Sequence, residues 1–320
     1  GLGDVYKRQI DTEGDNLWQK HDSITTENAR YLPRFQQLCE KYGFKPVWLT
    51  NYEMAIDPVY IEFAKDAIAR GTAEIGMHLH AWNSPPTDPL TDDDWRHKPY
   101  LIEYSDAAMR AKVDYMTRLL EDTFQTKMVS HRAGRWAFDE RYARLLVEYG
   151  YLVDCSVTPR VNWKTAKGAP QGDGGTDYRH FPQHAYFLDE NDIRREGQSS
   201  LLEVPMSIQY KHSAWMNSLK QGYDRLRGKV RSPSVHWLRP MGGNVETMKK
   251  VVEQTLTQGN DYVEYMLHSS EYMPGGSPTF KNEQDIERLY ADLDAFFSWL
   301  APQVKGMTLA EYYQQKLTQR

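Results

Sequence analysis

The segment EIGMHLHAWN, residues 74–83, closes a short apolar run with two histidines one residue apart. Side chains of a β-strand alternate between its faces, so His78 and His80 project to the same side. Chemistry-bearing residues at the end of an apolar strand are typical of α/β proteins with parallel strands. The flanking sequence should then repeat a strand–helix unit.

It does. Upstream, FKPVWLTN (44–51) predicts a strand and PVYIEFAKDAIARG (58–71) a helix closed by Gly71. Downstream, DAAMRAKVDYMTRLLEDTF (106–124) carries Met109, Val113, Met116 and Leu120 at helical spacing. A strand MVSHRAG (128–134), a helix DERYARLLVEYG (139–150) and a strand YLVDCSV (151–157) follow. VETMKKVVEQTLTQG (245–259) predicts a helix before the strand YVEYMLH (262–268), and DIERLYADLDAFFSWL (285–300) an amphipathic helix. Thr308 and Glu311 have the spacing of a capping box for a last helix. Repeated units of this kind imply parallel strands with right-handed crossovers, hence a barrel or a doubly wound sheet in one domain. Residues 158–200, rich in Gly, Pro and polar side chains, are expected to lie as loops over one rim.

Composition narrows the function classes. With 320 residues, 40% hydrophobic and 26% charged, the chain can bury a large core and is not expected to be disordered. A net charge of −5 without a basic run provides no electrostatic footprint for nucleic acid. Cys39 and Cys155 are too few for a disulfide scaffold or a cysteine-built zinc site. No apolar run reaches membrane-span length and no signal-peptide core is visible, so a cytoplasmic protein without a transmembrane segment is expected. The first nine residues, GLGDVYKRQ, read poorly as a strand. The expectation is a domain over 10–320 preceded by a non-native or poorly ordered segment over 1–9.

Candidate chemical groups gather at the predicted strand ends. In IDTEGDN (10–16), Asp11, Glu13 and Asp15 alternate, so their carboxylates can share a face. Taken alone, a polar turn accounts for them, and packing accounts for an isolated histidine pair. Together, imidazole and carboxylate oxygen form a zinc ligand set with a position left for water. SHRAGRW (130–136) adds Arg132, Arg135 and Trp136; an arginine there can orient a carboxylate through paired hydrogen bonds. Asp154 sits in an otherwise apolar strand, where a carboxylate requires a partner. His268 ends the strand before a loop containing PGGSP.

In this order, the acidic cluster, EIG-x-H, the arginine-rich turn, GY-x-x-D-x-S (150–156) and the late LH resemble the polysaccharide deacetylase (NodB-homology) family, over about residues 10–280. HLHAWNSPP (78–86) and HSSEYMPGGSP (268–278) resemble the branch associated with lipopolysaccharide and O-antigen gene clusters. The resemblance implies a distorted (β/α)7-type barrel. It also implies a metal-dependent hydrolase that removes acetyl groups, chiefly N-acetyl, from a sugar of a surface polysaccharide or its precursor.

Residue by residue, the resemblance makes Asp11 the base and Glu13 a metal ligand, with Asp15 as its rival. His78 would be the second ligand. Where the family has its other histidine, four residues on, this chain has Trp82, and strand geometry makes His80 the third ligand instead. Arg132 would hold Asp11 ionised, Trp136 would line the acyl pocket and Trp82 would also touch substrate. Asp154 would pair with His268, the general acid. One divalent ion, zinc, is the implied cofactor and an acetylated carbohydrate the implied partner. Rival readings are a metal-dependent glycosyltransferase, a catalytically silent carbohydrate-binding barrel and an amidase acting on a non-sugar amide. The first leaves His78, His80 and His268 without a role.

Overall fold

The computed structural model describes residues 5–168, 172–212, 215–217 and 233–320. Twelve strands occur among them: β1 (Val5–Thr12), β2 (Pro46–Thr50), β3 (Glu74–Leu79), β4 (Ser130–Ala133), β5 (Val153–Asp154), β6 (Tyr186–Asp189), β7 (Asp192–Glu196), β8 (Leu202–Glu203), β9 (Ile208–Tyr210), β10 (Val235–Trp237), β11 (Tyr262–His268) and β12 (Lys305–Gly306). Seven of them, in the order β11-β1-β2-β3-β4-β5-β8, run parallel. Helices 32–41, 58–69, 106–124, 140–148, 245–257 and 283–300 supply crossovers and outer cover.

Among the described residues, no strand ladder joins β8 to β11 where the barrel closes. The Tyr262 hydroxyl donates to the Pro205 carbonyl at 2.6 Å and the Glu264 amide to Ser207 Oγ at 2.9 Å. Side chains thus bridge the seam that backbone pairing would close in a regular barrel, and this is the distortion. The hairpin β6–β7 extends the sheet antiparallel from β8, and β9 pairs with β10 apart from it.

Parallel strands covered by helices are buried on both faces and read as apolar runs. Accordingly every residue of β2 (PVWLT) is buried. Helix 106–124 begins where Ser105 accepts from the Ala108 amide and buries Met109, Val113, Met116, Leu120 and Phe124. It stops at Gln125, whose φ of 52° is left-handed. The capping box expected at Thr308 and Glu311 is present.

Two expectations change. β1 begins at Val5 and pairs with both β11 and β2, so residues 5–9 belong to the fold; the charged YKRQ segment concealed a strand whose place is set by neighbours distant in sequence. Residues 1–4 lie outside the described residues. Within 158–200, the hairpin β6–β7 stands where only rim loops were expected. Residues 169–171 of that segment are also outside the described residues. Among those described, no helix is long and apolar enough to cross a membrane.

Candidate metal centre and active site

Because the strands are parallel, their C-terminal ends share one rim. Register places Asp11 beside His268 and His78 beside Arg132. These ends, with the loops that follow, enclose a cavity of about 440 Å³ lined by Asp11, Glu13, His78, His80, Arg135 and His268 among others.

Glu13, His78 and His80 are buried and bring one ligand atom each within 4.8 Å of one another. The His78 Nδ1 atom lies 2.9 Å from the Arg132 carbonyl oxygen, an acceptor only. Nδ1 therefore carries the proton and Nε2 turns toward Glu13 Oε2, 3.7 Å away. That is the tautomer a metal ligand requires. His80 Nε2 lies 2.7 Å from the same Glu13 oxygen. Burial opposes charge on His78, but Asp11 and Glu13 outweigh it and draw positive charge onto the ring. Burial also lowers His80, against the pull of Glu13, and so favours the neutral, ligand-competent imidazole. Glu13 is held well below its ordinary value because His78 and His80 outweigh its burial. The donor set and its field thus fit a divalent cation.

Asp15, the rival ligand, is committed elsewhere. Its Oδ1 accepts from the Asn28 amide and side chain at 2.9 and 2.6 Å, and its Oδ2 from Thr25 Oγ1 and the Glu27 amide at 2.8 and 2.9 Å. It braces the loop after β1.

Asp11 accepts from Arg132 Nη1 at 2.6 Å. The Arg132 guanidinium is fully buried and also donates to Glu264 at 2.7 Å, to the Cys155 carbonyl at 3.1 Å and to Gln9. Burial pushes Asp11 upward, but Arg132, then His78 and His268, outweigh it and hold the carboxyl below its ordinary value. A buried guanidinium against two carboxylates is what keeps Asp11 ionised.

His268 Nε2 stands 3.9 Å from both Asp11 Oδ2 and Glu13 Oε1. Its partner is Glu271, whose Oε2 lies 3.1 Å from Nδ1 and accepts from the His268 amide at 3.0 Å. Arg239 in turn donates to Glu271 Oε1 at 2.7 Å. The expected pairing of Asp154 with His268 is therefore corrected. Asp154 is in register with His131, and its Oδ1 lies 2.5 Å from His131 Nδ1. Neighbours in register share a face, and His131 points opposite to Arg132, toward Tyr142. Glu271 was overlooked, although the H-x-x-E spacing in HSSE was its signal: a 3-10 turn over Ser269–Tyr272 folds it back onto His268.

Trp82 and Trp136 both line the cavity, and Trp18, Trp95, Tyr100 and Trp163, which sequence reasoning did not single out, complete an aromatic wall. Arg135 and Trp136 have φ of 53° and 61°, in the left-handed region that side chains other than glycine rarely adopt. Such conformations cost about 1–3 kcal/mol each and gather at functional sites. Gly134 permits the turn: a Cβ there would stand 2.3 Å from the Leu79 carbonyl oxygen.

The fold is an α/β barrel like that of solved polysaccharide deacetylases (NodB-like). A protein from Parabacteroides distasonis assigned as a glycoside hydrolase/deacetylase superposes with a TM-score of 0.64 and 9% identity, covering 100% of this chain and 72% of its own. One from Mycobacterium smegmatis assigned as a polysaccharide deacetylase gives 0.57 and 14%, covering 99% and 92%. The 4-alpha-glucanotransferase from Thermococcus litoralis gives 0.54 and 12%, covering 98% of this chain but 40% of its own. At these identities the likeness is one of fold. No protein-family model matches the sequence, and no curated protein does.

Proposed function

We propose that the chain is a metal-dependent hydrolase of the polysaccharide deacetylase family that removes an acetyl group, N-acetyl in the first instance, from a sugar of a surface polysaccharide or its precursor. The observation that carries this reading is the meeting of Glu13, His78 and His80 with Asp11 and His268 in one aromatic-walled cavity. Aromatic rings with a few convergent polar groups suit a sugar, whose ring has apolar faces and a polar rim.

A divalent ion held by Glu13, His78 and His80, zinc being the one this donor set suits, would polarise the acetyl carbonyl and acidify water. Asp11, kept ionised by Arg132, takes the proton of the attacking water. His268, held by Glu271 and 3.9 Å from both Asp11 and Glu13, gives a proton to the leaving amine or alkoxide. Trp82 and Trp136 flank the acyl group and the ring. Asp154 takes no part.

The glucanotransferase that shares the fold raises glycosyl transfer as a rival. Carboxylate-pair chemistry of that kind needs one carboxyl to stay protonated as an acid. Both Asp11 and Glu13 are held below their ordinary values, which favours hydrolysis at a metal. The test is metal analysis with an assay of acetate release from N- and O-acetylated sugars. A zinc-loaded protein that releases no acetate from any of them would sink the proposal.

A further inference from the structure

Arg135 lines the cavity yet, among the described residues, has no hydrogen bond or ion pair; its one packing partner of note is Trp95, whose ring centre lies 5.4 Å from the guanidinium carbon. The other charged groups on that wall are engaged. Asp11 is held by Arg132 at 2.6 Å, Glu13 lies 2.7 Å from His80 and His268 3.1 Å from Glu271. Glu103, whose charge reaches Arg135, already accepts from the Asp173 amide at 2.8 Å and the Tyr100 amide at 3.1 Å.

The backbone makes this placement specific. In an extended chain Arg135 and Trp136 would point to opposite sides. Two consecutive left-handed residues put both side chains on the cavity wall. Burial disfavours the Arg135 charge, and the more distant Tyr100, Glu13 and Glu103 do not make up for it. A half-buried guanidinium without an anion is an incomplete recognition element, since its planar fork matches a carboxylate or a phosphate.

We propose that Arg135 binds an anionic group of the substrate, so that the sugar accepted is an acidic one, bearing a carboxylate or a phosphate ester. This rests on the deacetylase reading only for the cavity being a sugar site. The test uses ligands without an acetyl group: glucose, glucuronate and glucose phosphate, titrated calorimetrically into the zinc-loaded full chain. A charge-assisted pair should make at least one acid bind roughly tenfold to a hundredfold more tightly than glucose. Whichever acid binds tighter identifies the anion. Arg135→Gln should erase the preference, and Arg135→Lys should keep part of it. Glucose binding as tightly as both acids, or a preference that survives Arg135→Gln in a variant of unchanged melting temperature, overturns the proposal. Failure to release acetate from any sugar would instead strike at the deacetylase reading and leave this binding result standing.

Discussion

Two buried groupings of histidine and carboxylate lie one strand step apart and differ in what they leave unused. Behind the barrel wall, His131 Nδ1 meets Asp154 at 2.5 Å and Nε2 meets the Tyr142 hydroxyl at 2.7 Å. Asp154 also accepts from the Ser156 amide and hydroxyl at 3.0 and 2.9 Å, and His131, Tyr142 and Asp154 are fully buried. At the rim, His78 Nε2 faces Glu13 across 3.7 Å, and Glu13, His78 and His80 bring one ligand atom each within 4.8 Å of one another beside a cavity. The residue types are alike. The difference is that the first grouping satisfies itself, whereas the second holds ligand atoms converging on open space. Function is marked by that unused valence, and histidine and aspartate alone do not mark it.

The contrast can be broken most forcibly at the rim. In the His78→Ala, His80→Ala double variant, bound metal should be lost and acetate release should fall to background; full metal content by atomic emission would place the ion elsewhere. Next in size, Asp11→Asn should keep its metal and lose about 10²–10⁴-fold in single-turnover rate, while Glu13→Gln should lose metal first. A metal-free Asp11→Asn beside a metal-loaded, inactive Glu13→Gln would reverse the two roles.

Behind the wall the expected loss is in stability. Asp154→Ala leaves His131 and the Ser156 amide without their buried acceptor and should cost about 1–3 kcal/mol in denaturant unfolding. Metal content and rate per folded molecule should hold; a rate loss without a stability loss would return Asp154 to the active site. Glu271→Gln should instead lower turnover per folded molecule by roughly 10–100-fold with metal content unchanged, as expected if Glu271 orients His268 for proton transfer.

The smallest effect concerns Glu203, in register with Asp154. Burial and the Asp154 charge push its carboxyl well above the ordinary value. Folding therefore takes up a proton there. The stabilisation is complete below the unfolded value and is lost as pH rises through the folded one. Glu203→Gln cannot ionise, so its melting temperature should gain on wild type as pH goes from about 5 to about 9. A constant difference across that range would mean Glu203 is not the titrating group.

What the sequence determined by itself was local. Helical periodicity located helix 106–124, alternation put His78 and His80 on one side, and the strand over 262–268 was legible as a strand. These follow from interactions within a few residues, which a linear pattern records. The tertiary structure alone decided which partner each charged group meets. Asp154 went to His131 because β4 and β5 pair in that register, and Asp15 was claimed by Asn28 in the 3-10 turn Glu27–Tyr31. β1 was completed at its start by β11, more than two hundred residues away. Arg135 reached the cavity through a left-handed turn that its own residue type does not favour. Strand register and backbone strain are set by the packing of distant segments, and no short stretch of sequence encodes them.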